Sequence, residues 1–253
     1  MAGYFGVGRH IDPARARSLA NGLDARIPFI AGSVWVYLSL FPAAFLPLFV
    51  VRCPHLFRRT IAAYLAAIAA SLVVFSTYPV TSAALRADVS RLDATHFAPW
   101  AVSLLYRLDP PYNLFPSLHL TIAVLAALSV WKAARGAGVA AFSGVALIGV
   151  SICTVKQHFV LDAAGGVALA AFVQAVFLRG YRTQGGADPT YGRRGAAAFC
   201  GVVVVLYASL YAAFSIGGAG TIPSPTMNLT RCATVSSSEG SGRVPLPALR
   251  ASR

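Results

Sequence analysis

The chain has 253 residues, of which 57% are hydrophobic and only 11% are charged, and its formal net charge is +13. This composition is typical of a membrane protein and excludes an ordinary soluble domain, whose core is too small to bury so many apolar residues. The basic residues cluster at the ends of apolar runs, as membrane-flanking charge does, so the net charge does not indicate a nucleic-acid partner. The partner that the composition predicts is the lipid bilayer.

A helix that spans a membrane needs about 20 mainly apolar residues to cross roughly 30 Å of hydrocarbon. Six runs are of this kind, and we predict an all-α, polytopic membrane helical bundle with about six transmembrane helices. The predicted spans are residues 28–51, 60–81, 114–132, 137–154, 160–178 and 195–217. We expect residues 1–27 to be an N-terminal tail without a cleavable signal peptide and 28–217 to be the membrane domain. The Pro-, Ser- and Gly-rich residues 218–253 are predicted to be a disordered C-terminal tail.

The connection between the second and third predicted spans, residues 82–113, contains the segment "FAPWAVSLLYRL" (97–108). Its spacing places Trp100, Leu104 and Leu108 on one helical face. The pattern predicts a short interfacial helix with Trp100 at the level of the lipid headgroups, and a plain connecting loop is the alternative.

Basic residues are distributed unevenly among the predicted loops. The loops after the first, third and fifth spans hold nine basic residues, with Asp188 as the only acid. The positive-inside rule places these loops in the cytoplasm. We therefore expect both termini and the two histidine motifs described below on the outer, periplasmic side of a cell inner membrane.

The segment "TVKQHFVLD" (154–162) brings Lys156, His158 and Asp162 to the junction of the fourth and fifth spans. Ionisable residues at the rim of a membrane bundle are functional candidates by default. If the fifth span begins near His158, the spacing of four puts the Asp162 carboxylate on the same face as the imidazole. The carboxylate would then fix the tautomer and leave the other ring nitrogen free to attack. A capping histidine beside a buried aspartate is the structural alternative.

A second motif, "YNLFPSLHL" (112–120), opens the third span. Pro116 near the first helical turn indicates exposed backbone amides at a helix N-terminus, which favours an anion. An antiparallel hairpin of spans three and four would bring His119 and Lys156 to one membrane level. Together the motifs supply a cation, two imidazoles, a carboxylate and amide donors, which fits phosphoryl transfer. A metal site is less favoured, because the cluster carries its own cation and lacks closely spaced ligands.

"PSLH" (116–119) followed by "SICTVKQHFVLD" (151–162) resembles the second and third signatures of the type 2 phosphatidic acid phosphatase (PAP2) superfamily of membrane lipid phosphatases and phosphotransferases. The resemblance covers about residues 24–178. The variant "NLFPSLH" with "KQHxxxD" is similar to the branch that contains the inositol phosphorylceramide synthase-like transferases. Such a family implies an enzyme that acts on a membrane lipid without a metal or an organic cofactor.

The resemblance also implies roles for individual residues. His158 would be the nucleophile that forms a phosphohistidine, Asp162 would orient it, and His119 would protonate the leaving alcohol. The candidate substrate-binding residues in the first motif are Ser117, the backbone amide of Leu118, and Asn113.

Two departures from the family pattern concern the cations. The third signature usually has an Arg where this chain has Ile152, so Lys156 would be the replacement, a point charge without the bidentate fork of Arg. The first signature, Lys-x6-Arg-Pro, is not present, and "YPVTSAALRADVSRLD" (78–93) occupies its place. Arg86 is the first candidate phosphate ligand there and Arg91 the next, with a solvated loop arginine as the alternative.

The expected function is a lipid phosphatase that hydrolyses a lipid or isoprenoid (di)phosphate. One alternative is a phosphotransferase that moves a phospho-headgroup onto a lipid hydroxyl, and another is a noncatalytic binding or transport protein with the same fold. Hydrolysis is preferred because water needs no dedicated acceptor pocket. The set of His119, His158 and Asp162 favours an enzyme, because a binding site does not need a tautomer-fixed nucleophile.

Overall fold

The computed structural model describes residues 6, 8, 11–109, 111–181 and 191–217. Every regular element of four or more residues in these ranges is an α-helix, joined by shorter 3-10 turns. The structure confirms the predicted all-α, polytopic helical bundle. The disorder predicted for residues 218–253 concerns a region outside the described residues.

Ten α-helices follow one another within the described ranges. In chain order they are α1 (Gly22–Arg26), α2 (Val34–Leu38), α3 (Leu40–Ala43), α4 (Leu46–Val50), α5 (Pro54–Thr77), α6 (Phe97–Leu108), α7 (Leu118–Ala133), α8 (Arg135–Thr154), α9 (Val160–Phe177) and α10 (Arg193–Gly217). Four of them, α5, α8, α9 and α10, are long and apolar enough to cross a membrane, whereas α7 is a shorter apolar helix. The protein is an integral membrane protein, and the count of six spans stays a prediction.

The first predicted span, residues 28–51, is not one continuous helix. A 3-10 turn at Ala31–Ser33 leads into the short helices α2, α3 and α4. Pro42 and Pro47 lie within this run, and a proline inside a helix removes a backbone donor and clashes with the carbonyl four residues earlier. These two prolines, which are visible in the sequence, therefore explain the interruption.

Prolines also determine where α5 begins and ends. Pro54 lies in its first turn, where a missing N–H has no partner within the helix anyway. The helix ends at Thr77, shortly before Pro79, because the residue that precedes a proline is disfavoured in the α conformation. Consequently α5 begins six residues before the predicted span of 60–81.

The connection between α5 and α7 contains α6, which confirms the helix predicted over residues 97–108. Trp100 is only 7% exposed. Its indole packs against Phe97 of the same helix and Phe214 of α10, with ring centroids 5.8 and 5.5 Å away. Hence α6 lies against the bundle through its aromatic face.

Helix α7 lies at the centre of the bundle. It packs against α4, α5, α8 and α9, and its apolar residues are distributed around the whole helix, as expected for a helix that its neighbours enclose. Ala134 alone joins α7 to α8, which runs back beside it. A Cβ on Gly138 would lie 2.5 Å from the Cα of Trp131, so the hairpin is tightly packed at this turn. The start of α7 and the end of α8 therefore lie at one end of the bundle, and both histidine motifs lie there.

Candidate active site

The second histidine motif forms a tight turn between α8 and α9. Lys156 has a φ of 56°, in the left-handed region that residues other than glycine adopt rarely. The backbone amides of Gln157 and His158 both donate to the carbonyl of Ile152, at 3.0 and 3.1 Å. This turn directs the His158 side chain into the bundle, where it is only 3% exposed.

His158 and Asp162 lie beside each other inside the bundle. Nδ1 of His158 is 3.5 Å from Oδ2 of Asp162, slightly longer than an ordinary hydrogen bond. The same Oδ2 accepts a hydrogen bond from the Phe159 amide at 2.9 Å. A carboxylate in the first turn of a helix also interacts favourably with the helix dipole. Asp162 therefore caps α9 and faces the imidazole at the same time.

The first histidine motif approaches His158 from the start of α7. Ser117 is the N-cap of α7 and is fully buried. Its Oγ lies 3.5 Å from Nε2 of His158, and its backbone amide donates to the Asp162 carbonyl at 3.0 Å. The two ring nitrogens of His158 therefore face different groups, a carboxylate at Nδ1 and a hydroxyl at Nε2.

His119 is the second residue of α7 and faces the same place. Its ring centroid is 6.1 Å from that of His158, with the planes at 69°. The ring of Phe41 packs edge-on against His119 at 6.2 Å, so the interrupted first span forms one side of the site. Leu118 is the first residue of α7. Asn113 is buried ahead of that helix with a φ of 66°, a conformation that asparagine tolerates better than most residues.

Helix α9 approaches α7 closely at two glycines. A Cβ on Gly166 would lie 2.6 Å from the Ser117 carbonyl oxygen, and one on Gly165 would lie 2.5 Å from the ring of Phe115. Thr121 bridges the same gap, since its hydroxyl donates to the Gly166 carbonyl at 3.0 Å. Small residues permit such close contact between membrane helices. The position of Ser117 relative to His158 thus depends on Gly166.

We expect Gly166→Ala to lower the stability of the protein by about 1–3 kcal/mol, the usual range for overpacking, and to reduce its activity. The added methyl group meets backbone, so α7 has to move away from α9 at Ser117. Gly149→Ala is the matched control, because the nearest atom to its Cβ would be 3.9 Å away. Thermal unfolding in detergent compares the two variants. Wild-type stability and activity in Gly166→Ala would show that the close approach is not required.

The cation predicted to bind phosphate, Lys156, lies in a different environment from the one expected. Its ammonium donates to the carbonyls of Asp24 and Ile27 at 2.9 and 2.5 Å. The Asp24 carboxylate is buried and accepts from the Val160 amide at 2.8 Å. Two of the three donors of the ammonium therefore hold the segment before the first span against the turn that carries His158. A phosphate-binding role for Lys156 stays a prediction.

Arg86 is bound in a similar way. Its guanidinium donates to the carbonyls of Tyr106 and Asp109 at 2.9 and 2.8 Å, and it lies 4.8 Å from the centroid of the Tyr106 ring. The Tyr106 phenol donates to the Val155 carbonyl at 2.6 Å, and burial raises the pKa of this phenol above its usual value. Arg86 is therefore not a solvated loop charge, since it holds two carbonyls of the connection before α7. Tyr106 of the same connection contacts the turn of His158.

Arg91, the second candidate of that connection, is mostly exposed. Its nearest acid is Asp88, at 3.3 Å on the same loop. An exposed pair of this kind contributes little to stability, because water screens it. The structure does not bring Arg91 to His119 or His158.

Three polar residues near the site were not singled out in the sequence, namely Gln157, Asp109 and Asp24. Gln157, which is 2% exposed, donates from Nε2 to Oδ2 of Asp109 at 2.7 Å, directly beside His158. Asp24 completes a capping box with Asn21 and reaches the start of α9. The Asn-x-x-Asp spacing of this box indicates a helix start from the sequence alone. The contact of Asp24 with α9 could not be inferred in the same way.

A family model described as the PAP2 superfamily matches residues 11–176. The match covers more than half of the chain, and it includes both histidine motifs and the Lys156 contacts with the N-terminal segment. Neither the curated proteins nor the solved structures contain a match. PAP2 proteins are generally phosphatase-type enzymes, which suggests activity on lipid phosphates. On this evidence the chain belongs to the PAP2 superfamily.

Proposed function

We propose that the protein is an integral-membrane phosphatase that hydrolyses a lipid or isoprenoid phosphate through a phosphohistidine on His158. The observation that carries this proposal is the environment of its two ring nitrogens. The Asp162 carboxylate, 3.5 Å from Nδ1, favours the tautomer with the proton on Nδ1. Nε2 then holds a lone pair and points toward Ser117, where a phosphoryl group would enter.

In the first step Nε2 of His158 attacks phosphorus, and the bond from phosphorus to the leaving oxygen breaks. The electron pair of that bond goes to the leaving oxygen, which takes a proton from His119. The Ser117 hydroxyl and the Leu118 amide, at the start of α7, would donate to the phosphoryl oxygens. The positive end of the α7 dipole favours the anion at this place.

In the second step a water molecule attacks the phosphohistidine and gives its proton to the now neutral His119. The bond from phosphorus to Nε2 breaks, its electron pair returns to the nitrogen, and inorganic phosphate leaves. A lipid hydroxyl in place of water makes the same chemistry a phosphotransfer. That reaction is the one to which the resemblance to inositol phosphorylceramide synthase-like enzymes points. The distribution of basic loops supports a site on the outer, periplasmic face of the inner membrane.

We expect Asp162→Asn to lower the rate about 10²-fold or more, because the neutral amide no longer stabilises the imidazolium or fixes the tautomer. The asparagine side-chain oxygen still accepts from the Phe159 amide, so α9 should keep its cap. Single-turnover rates, with circular dichroism as the folding control, test this. An unchanged rate would make Asp162 a purely structural residue.

The overall test is phosphate release by the purified protein in detergent with EDTA, with His158→Ala as the control. The substrates are phosphatidic acid, undecaprenyl diphosphate and phosphatidylglycerol phosphate. Release that disappears in the variant supports the phosphatase. Product formation only when a lipid with a free hydroxyl is added would support the transferase instead. Binding of these lipids without any turnover would favour the noncatalytic alternative.

A further inference from the structure

A mainly apolar cavity of about 540 Å³ lies between the interrupted first span, α7, α8 and α10. Its volume is typical of a small-molecule site. No charged residue lines it among the described residues, and much of its wall consists of small side chains. These are Ala123, Ala126 and Ala127 on α7, and Ala140, Ala141 and Gly144 on α8. Small residues between membrane helices usually allow close contact, whereas here they border an open space.

The cavity lies along the face of α7 that also carries His119. Ala123 and Ala127 follow His119 at intervals of four residues, so all three share a helical face. That face continues to Val130, which also lines the cavity. At 1.5 Å per residue the distance from His119 to Val130 is about 16 Å along the axis. The wall of the cavity therefore begins at Ala123, about one helical turn from His119, and extends into the apolar part of the bundle.

The first span contributes the opposite wall. Phe41 packs against the His119 ring, and Ser39 and Ala43, two residues to either side, line the cavity. Helical geometry places residues 39 and 43 on one face. Phe41, two residues from each of them, points away from that face and toward His119, so the first span contacts the cavity on one side and the candidate active site on the other.

The outer wall, α10, is held by an aromatic cluster at its far end. The Tyr207 hydroxyl donates to the Trp35 carbonyl, and Trp35 stacks on Phe97 with centroids 4.2 Å apart. Tyr211 and Phe214 pack against the same Phe97 ring. These contacts fix α10 against α2 and α6, while the cavity lies between α10 and the α7–α8 hairpin.

We infer that this cavity holds the hydrocarbon chain of the phosphate substrate while its headgroup lies between His119 and His158. The identity of the headgroup rests on the proposed function. The apolar wall matches the chemistry of an acyl or isoprenoid chain, and the continuous face of α7 joins it to the reacting group. The chain enters the cavity from the lipid bilayer and not from water, so burying it there adds little to the affinity for the substrate. The cavity selects for the length and shape of the chain, because a chain that does not fit displaces the phosphate from the histidines. A displacement of about 1 Å can lower a reaction rate roughly 10²-fold.

Gly144→Leu tests the inference by filling the cavity. A Cβ at Gly144 meets no atom within 4 Å, so the leucine enters open space without a backbone clash. Gly136→Leu is the matched control, because it makes the same change in the same helix, also with no atom within 4 Å, away from the cavity wall. Thermal unfolding establishes that both variants are folded.

Rates are measured with butyl, dodecyl and hexadecyl phosphate, and with farnesyl and undecaprenyl phosphate, which distinguish a straight chain from an isoprenoid. We expect Gly144→Leu to lower kcat/KM for the long chains relative to butyl phosphate by at least about tenfold. Gly136→Leu should keep the wild-type chain-length profile. The same profile in wild type and both variants would overturn the inference.

A second measurement does not depend on turnover. Hexadecyl phosphate with a diazirine at the chain end is photocrosslinked to His158→Ala, and the labelled peptides are identified by mass spectrometry. Labels at residues 123–130 or 140–148, lost when Gly144→Leu is added, support the cavity even if the wild type releases no phosphate from any substrate. Labels elsewhere, together with an active wild type, would overturn the chain site and leave the phosphatase in place.

Discussion

His158→Ala is expected to abolish phosphate release, with a loss of at least about 10⁴-fold, because the variant lacks the nucleophile of the proposed mechanism. Nε2 lies beside Ser117 at the start of α7, where the phosphate would bind. Initial rates measure the loss. Labelling with a radioactive substrate provides a second observation, since a phosphohistidine is stable in base and labile in acid. The wild type should carry this label and the variant should not.

Two further variants make the His158 result specific. His158→Gln keeps a polar side chain of similar size and should be equally inactive, which separates loss of the nucleophile from loss of packing. His96→Ala is the control for a histidine away from the site, because His96 is exposed and pairs with Asp93 on the same loop. Turnover at the wild-type rate in a folded His158→Ala protein would remove the phosphohistidine mechanism.

His119→Ala is expected to slow hydrolysis of alkyl phosphates about 10²- to 10⁴-fold, the usual range for loss of a general acid. An alkyl alcohol is a poor leaving group and needs a proton as its bond to phosphorus breaks. A nitrophenolate leaves without one, so p-nitrophenyl phosphate should lose far less activity. The ratio of the two rates in wild type and variant measures the effect. An equal loss with both substrates would indicate that His119 only positions the phosphate.

The contacts of the two candidate cations affect how a phosphate would be bound. Lys156 and Arg86 both donate to backbone carbonyls. Lys156 belongs to the turn of His158, whereas the carbonyls that Arg86 binds lie in the connection before α7. The amide donors at the start of α7 would then supply more of the stabilisation of a bound phosphate. Lys156 contributes to the geometry of the nucleophile through the backbone that it holds, and Arg86 contributes only indirectly, through Tyr106, whose phenol donates to the Val155 carbonyl.

Much of the helical framework was predictable from the chain alone. The apolar runs indicated α5, α8, α9 and α10, because a membrane span is defined by the length and composition of a local segment. The spacing of four between His158 and Asp162 indicated that they share a face, since helical geometry fixes which side chains are neighbours. The sequence also indicated the interruption of the first span, through Pro42 and Pro47.

The contacts of the long polar side chains were decided only by the tertiary structure. Lys156 was expected at a phosphate, but its ammonium meets a carbonyl 132 residues earlier in the chain. Asp24 reaches the amide of Val160 across 136 residues. No local pattern encodes such a pair, because the partner of a flexible side chain depends on which backbone groups the fold leaves without a helical partner. The same holds for the cavity beside Gly144, whose shape is set by how four separate segments pack. Sequence thus determined the helices and the two motifs by short-range geometry, and the packing of distant segments decided what surrounds them.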